Sequence, residues 1–404
     1  MTAQGTDRER DAWARRLAAI AGQGQRPIKS LGESVDGKAD LDGPLPHVDD
    51  LINAVDRATR HVEAESNARA KALDVLAGLT GTAISKISTA TGNPALAIDE
   101  VLAFEAIIRA DGSRPSLLLQ DGVVPASSSF VGQWVDQIFA TQSRTQEVAQ
   151  ATGRIQPAGG GPQNYFGSGF LIDRERGFVL TNRHVVADIL QAATVTIEGG
   201  NVVVDPTGVK HYRVLDGLTM DFDGEVASDK SSSVARVVEL RIPPRTGASV
   251  FEWMDIALLR LEFDEDSTIP LQAVPYGGNP VFETEGEVHS ICMVGFPGPP
   301  QRSATTEIDW DWVEKQLFAE AYGVKRLAPG LVHRSAGWDE RDTNKWIFGH
   351  DATTLGGSSG SPVFAWLDGG QAFGIHFSGR HSDTNRAHGF STSAAKQVID
   401  ALTR

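Results

Sequence analysis

Between about residues 155 and 380 the chain is a succession of short β-type runs cut apart by Gly, Pro and Asp. They read GFLID, GFVLTN, ATVTI, VARVVELRI, DIALLRLEF, HSICMVGFPG, PVFAW and AFGIHFSG. Many short strands with turn signals between them point to a β-sandwich or barrel. Cys292 is the one cysteine, so this β-region has to stand without disulfide staples.

The part before this is different. HVDDLINAVDRATRHVEAESNARAKALDVLAGL (47–79) sets Leu51, Val55, Ala58 and Val62 three and four apart, one face of an amphipathic helix. NPALAIDEVLAFEAIIRADG (93–112) repeats the pattern and stops at Gly112. Residues 114–124 read as a short strand and turn, 129–153 as a third helix, and PAGGGP (157–162) as a loop. TSAAKQVIDALTR at the end reads as a closing helix. The pattern divides the chain into a mainly α-helical region, 1–150, and an all-β part, 151–404.

Apolar residues make up 41% of the 404, enough for a real core. The net charge of -15 (37 basic, 52 acidic) argues against a nucleic-acid or anionic-membrane partner, which needs a basic face. The N-terminus is charged from Asp7 and lacks a secretory apolar stretch. No run approaches the roughly 18 apolar residues of a membrane span. With the lone cysteine, this leads us to expect a cytoplasmic protein.

LGGSSGSPVF (355–364) raises the chemical question. Glycines at this density allow backbone turns that side chains forbid. A serine presented by such a turn becomes a nucleophile only with a base in reach, a group to orient that base, and donors for an oxyanion. GFVLTNRHVVADIL (177–190) offers His184 after an apolar strand, and histidine's ordinary pKa suits a base. FEWMDIALLRLEF (251–263) offers Asp255 at the mouth of a strand so apolar that the carboxylate needs a partner. An imidazole N–H meets that need.

TNRHVV, DIALLRL and GGSSGSPVF, in that order, resemble the chymotrypsin/trypsin-like serine proteases, in particular their disulfide-free bacterial branch of glutamyl-endopeptidase and HtrA types. The resemblance covers roughly 155–404 and implies a double β-barrel with the active site between the barrels. It implies Ser359 as nucleophile, His184 as general base, Asp255 as its orienter, and the N–H groups of Gly357 and Ser359 as the oxyanion hole. Ser358 and Ser361 are then neighbours, not nucleophiles. Val185 stands where secreted animal members have cysteine. Ser358 stands where they have an aspartate that pairs with a freshly cut N-terminus, so that activation switch is not expected. Thr354 and His376 match a threonine and histidine that in the glutamyl endopeptidases and viral 3C-type proteases bind a P1 side chain. This implies cleavage after Glu or Gln, with Gly379 leaving the pocket mouth open and the main chain of Phe377, Ser378 and Gly379 pairing with an extended protein or peptide substrate.

No metal or cofactor is implied: His376, His381 and His388 have no cysteine near and no helical i, i+4 spacing. Trp310 and Trp312 read as packing, His350-Asp351 as loop residues shaping the pocket wall, and GFPG (295–298) as a turn without chemistry. The 45 residues after Ser359 leave no room for the C-terminal PDZ domain of HtrA proteases. Regulation, a protein partner or self-association is therefore expected from the N-terminal helices. A catalytically silent protease fold that binds peptides is the alternative. An α/β-hydrolase fits worse, because Ser361 replaces its last motif glycine and its order is Ser, Asp, His.

Overall fold

The computed structural model describes residues 114–126, 128, 131–199, 202–226, 233–263, 272–277, 289–299, 320–365, 370–379 and 385–404, together with Gly78. The helices expected over 47–79 and 93–112, and Trp310, Trp312 and His381, lie outside the described residues. Two antiparallel sheets dominate, and each closes on itself.

The first barrel runs β10 (Ala257–Glu262), β4 (Phe178–Thr181), β3 (Gly167–Asp173), β2 (Thr152–Pro157), β8 (Leu218–Asp221) and β9 (Val234–Ile242), and β9 pairs back onto β10. Outside β9 the sheet continues through β7 (Lys210–Asp216), which carries β5 (Thr196–Ile197) and β6 (Val203–Val204). The second barrel runs β12 (Arg326–Arg334), β11 (His289–Gly295), β14 (Pro362–Ala365), β15 (Ala372–Ser378), β16 (Asn385–Gly389) and β13 (Ile347–His350), and β13 pairs back onto β12. Full closure leaves neither six-strand ring an open edge.

Each run named from the sequence sits in one of these strands, and all but ATVTI, which forms β5 outside the ring, bury apolar residues in a barrel. Phe170, Leu171, Val179, Leu180, Leu258 and Leu259 meet in one core. Ile291, Val363 and Phe373 line a second cluster inside the C-terminal barrel. The lone Cys292 is buried in β11, where burial raises its thiol pKa well above the usual value. The tail forms the closing helix Ser393–Thr403, capped by the Thr392 hydroxyl accepting from the Ala395 N–H.

Before β2 the observed pattern departs from one continuous helix over 129–153. A short 3-10 turn leads into α1 (Val135–Ala140), which is followed by α2 (Gln142–Ala151). The break falls at Thr141, which leaves helical geometry while its hydroxyl donates to the Gln137 carbonyl. β1 (Leu117–Leu118) pairs with β12 of the second barrel, Leu117 opposite Leu327. Trp134, Ile138 and Val148 join the same core as the first-barrel strands. Leu117 and these three residues, all before residue 150, therefore pack with the barrels. Lys325, buried just before β12, donates to the carbonyls of Ala149 on α2 and Phe222 after β8, tying both barrels to the helix.

On the outer face of the first barrel Glu239 accepts from Arg241 at 2.9 Å and Arg260 at 2.8 Å, and its Oε1 lies 2.8 Å from Nδ1 of His211. Burial opposes the ionised form, but these three partners more than offset it and draw the Glu239 carboxyl down to about 2. The folded value lies below the unfolded one, so the contribution is full above the ordinary carboxylate range and is lost as pH falls toward 2. Glu239→Gln should cost about 1–3 kcal/mol at neutral pH, allowing for solvent screening. The gap between variant and wild type in chemical denaturation should close as pH drops from 5 to 2; a gap independent of pH refutes the assignment.

Candidate active site

β4 and β10 are antiparallel neighbours, with Ala257 opposite Thr181. The chain leaving β4 and the chain entering β10 therefore emerge side by side. The first turns at once into α3 (Arg183–Gln191), with His184 in its first turn. The second brings in Asp255. The Asp255 carboxylate grips His184 twice, accepting from its backbone N–H at 3.0 Å and lying 2.5 Å from its Nδ1. Burial would raise the Asp255 pKa, but the His184 imidazole and its hydrogen bonds, with His388 adding to them, hold it below the ordinary value. Asp255 is therefore ionised, and its contact holds the His184 ring proton on Nδ1.

The backbone of Asp255 is pinned as firmly. Asn182 Nδ2 donates to its carbonyl at 2.7 Å, and its N–H donates to Nε2 of His388 at 2.9 Å. His388 belongs to β16 of the second barrel, so this bond crosses between barrels. Its ring stacks on Phe377 with centroids 4.2 Å apart and meets Trp346 edge-on at 6.1 Å. Burial holds the ring neutral, its pKa near 3 despite the pull of Asp255. His388 Nε2 is thus taken up by the Asp255 N–H; among the described residues no group of three or more His, Cys, Asp or Glu is placed to hold a metal ion.

The serine loop sits between β13 and β14. Its three serines have different fates. Ser358 is buried, and its hydroxyl accepts from the Leu355 N–H. Ser361 is fully buried, with its hydroxyl packed toward Gly295. Ser359 is the one left partly open. Its carbonyl accepts from the Ser168 N–H on β3 at 2.8 Å. A Cβ added at Gly167 would lie 3.2 Å from that same carbonyl and 2.9 Å from the side chain of Val185, next to His184. The Ser359 backbone thus lies beside the start of α3. Among the described residues the Ser359 hydroxyl makes no hydrogen bond to His184, a looseness common before substrate binds. The N–H groups of Ser358, Gly360 and Ser361 are taken up by Leu355, His376 and Ser358, while those of Gly357 and Ser359 donate to no backbone carbonyl among the described residues.

Behind the loop, His376 is buried and kept neutral, its pKa lowered to about 3 by burial and by nearby His184. Its Nδ1 is 3.2 Å from Nε2 of His350. His350 and Asp351 form no dyad: Asp351 instead pairs with Arg114 at 2.6 Å and accepts from the Leu331 N–H. Thr354 donates to Asn385 Oδ1 at 2.8 Å, and Asn385 Nδ2 donates to the Ala352 carbonyl at 2.6 Å. Gly379 does not open onto empty space. A Cβ there would lie 2.3 Å from Asn385 Oδ1 and 2.8 Å from Thr354 Oγ1, so the missing side chain makes room for that pair. Phe377 and Ser378 are buried at the end of β15. The sequence reading missed His388 as a partner of the Asp255 backbone, and Asn385 altogether; both lie in the polar strand NRAHG, whose importance comes only from contacts across the fold.

Residues 167–375 match the family model described as a trypsin-like peptidase domain. A probable serine protease of Lysobacter enzymogenes is 36% identical over 315 residues, 77% of this chain and 78% of that protein. Among solved structures, a Glu endopeptidase in complex with MPD shares 17% identity, covering 64% of this chain and 94% of that one, with a TM-score of 0.39. The HtrA-type protease AlgW with decapeptide shares 15% identity, covering 65% of this chain and 67% of that one, with a TM-score of 0.34.

His388→Phe keeps a ring on Phe377 but removes the acceptor of the buried Asp255 N–H. It should destabilise the protein by about 1–3 kcal/mol in a denaturant titration. A neutral buried histidine has a folded pKa below its unfolded one, so wild-type stability should fall as pH drops from 6.5 toward 3. That slope should be shallower in the variant; equal slopes would show that His388 does not carry it.

Proposed function

This chain belongs to the trypsin-like peptidase family and is a serine endopeptidase, and on that premise we propose that Ser359, His184 and Asp255 carry its reaction and that the side chain before the cut is glutamine, or less readily glutamate. The observation that carries the reading is the two-point hold of a buried, ionised Asp255 on His184. It supports Nδ1 as the protonated ring nitrogen and Nε2 as the one that accepts the serine proton.

In this reaction Ser359 Oγ attacks the scissile carbonyl while His184 Nε2 takes the hydroxyl proton. The carbonyl oxygen becomes an oxyanion between the Gly357 and Ser359 N–H groups. His184 then gives the proton to the leaving amine, and an acyl-enzyme on Ser359 remains. Water, deprotonated by His184, attacks the ester, and the proton returns to Ser359. Asp255 stays ionised throughout and stabilises the imidazolium.

The preference rests on hydrogen-bond polarity. Asn385 must turn its amide N–H toward the Ala352 carbonyl, so its oxygen faces Thr354 and the Thr354 hydroxyl donates to it. Thr354 then offers only lone pairs, which suit an amide N–H and repel a carboxylate. Neutral His376 supplies one N–H donor, enough for an amide oxygen. An extended substrate strand would lie along the main chain of 377–379.

Ser359→Ala should abolish both peptide cleavage and labelling by a fluorophosphonate. Asp255→Asn should lower kcat by about four orders of magnitude while the fold survives. Profiling of a proteome-derived peptide library should enrich glutamine before the cut. A wild-type chain that never takes the label would support the silent peptide-binding alternative, and basic or aromatic residues before the cut would remove Thr354 and His376 from the specificity role.

A further inference from the structure

The turn Gly295–Gly298 reads from sequence as a strand end without chemistry, yet it lies against the loop that carries the two open N–H groups. The Gly298 N–H donates to the Gly356 carbonyl at 2.6 Å. The Phe296 N–H donates to Ser168 Oγ at 3.1 Å, and Ser168 Oγ donates onward to the Gly357 carbonyl at 2.8 Å. The Tyr165 hydroxyl holds the Phe296 carbonyl at 2.9 Å, and the Ser168 N–H holds the Ser359 carbonyl at 2.8 Å. Three carbonyls of the loop, at 356, 357 and 359, are thus each fixed by a donor from outside it.

This has a directional consequence. In a trans peptide the N–H points opposite to the C=O. Fixing the Gly356 carbonyl on Gly298 therefore turns the Gly357 N–H away from that turn. The Gly357 backbone sits at φ +91°, and a Cβ there would meet the Tyr165 hydroxyl at 2.4 Å and the Phe296 carbonyl at 2.6 Å, so the same partners that hold the loop also require glycine. Ser358 cannot anchor the loop by charge, and its hydroxyl is engaged inside the turn by the Leu355 N–H. Ser168 is fully buried and belongs to the first barrel, whereas the loop belongs to the second. Among the described residues its hydroxyl joins two groups, the Phe296 N–H and the Gly357 carbonyl.

We propose that Ser168 is a positioning residue for the reaction: its hydroxyl, oriented by the Phe296 N–H, holds the Gly357 carbonyl and so fixes the 357–358 peptide, the one between the two peptides that carry the Gly357 and Ser359 N–H groups, so that both groups face the cleft before substrate arrives. The inference rests on the reading of those two groups as the oxyanion donors. It makes the oxyanion site a product of the barrel-to-barrel contact itself.

The test compares the full-length wild type with Ser168→Ala. Removing an oxyanion donor outright costs about a hundred- to a thousand-fold in kcat, and misplacing one by loosening its support should cost about ten- to a hundred-fold. KM should stay within about two-fold. A peptide aldehyde, whose adduct carries the tetrahedral oxygen, should bind more weakly by the same factor as kcat falls, while affinity for the N-terminal cleavage product is unchanged. Equal kcat and aldehyde affinity in both proteins, or a parallel loss of product affinity, would overturn the assignment. If Ser168→Ala does not fold, Ser168→Cys, which keeps the bulk and weakens the donor, is read by the same criteria. Fluorophosphonate labelling of the wild type separates the two levels: a wild type that takes no label removes the underlying oxyanion reading and this inference with it, while a labelled wild type indistinguishable from the Ser168 variant removes this inference alone.

Discussion

The site depends on a buried negative charge and what is done to keep it ionised. A carboxylate carried into a barrel interior loses its hydration and tends to take up a proton. Asp255 avoids this because antiparallel pairing of β4 with β10 delivers His184 to its side, and two donors of the same residue meet its two oxygens. The imidazole is thereby fixed in tautomer and in direction. Nothing in this arrangement is adjustable on its own: moving β10 by one register step would put Asp255 on the opposite face of the sheet.

The two barrels are joined by polar contacts more specific than a greasy interface. His388 crosses from the second barrel to the Asp255 backbone, Ser168 crosses from the first to the Gly357 carbonyl, and Lys325 reaches both α2 and the end of β8. Buried polar groups of this kind cost free energy unless each finds its partner, so they select one relative placement of the barrels. That placement sets the Ser359 backbone of one barrel against Ser168 of the other, beside the start of α3.

The residues proposed to react stand out in the sequence because each sits beside a locally apolar run. TNRHVV and DIALLRL announce their strands, and the glycines of LGGSSGSPVF announce a turn, so His184, Asp255 and Ser359 stand out. Other strands were not legible. β2 reads TGRIQP, β16 reads NRAHG, and β12 carries Pro329 and Gly330 in its middle. Their polar residues are buried because partners arrive from elsewhere, as Asp221 does for Arg154 at 2.9 Å. The helix expected over 129–153 kept its apolar spacing but ended at Ala151, because the chain was drawn into β2 by pairing with β3 and β8.

By itself the sequence determined the local chemistry: which residues can act as base, orienter and nucleophile, where the chain must turn, and that no disulfide holds it together. Periodicity and glycine placement are short-range signals, and short-range signals are what a linear string carries. Only the tertiary structure decided which of the three loop serines is open, that His376 is neutral, that GFPG lies against the serine loop, and that His388 and Ser168 reach across the barrels. The His376–His350 and Ser168–Gly357 contacts join groups 26 and 189 residues apart in the chain at hydrogen-bond distance. Such contacts exist only after burial has removed water as the competing partner.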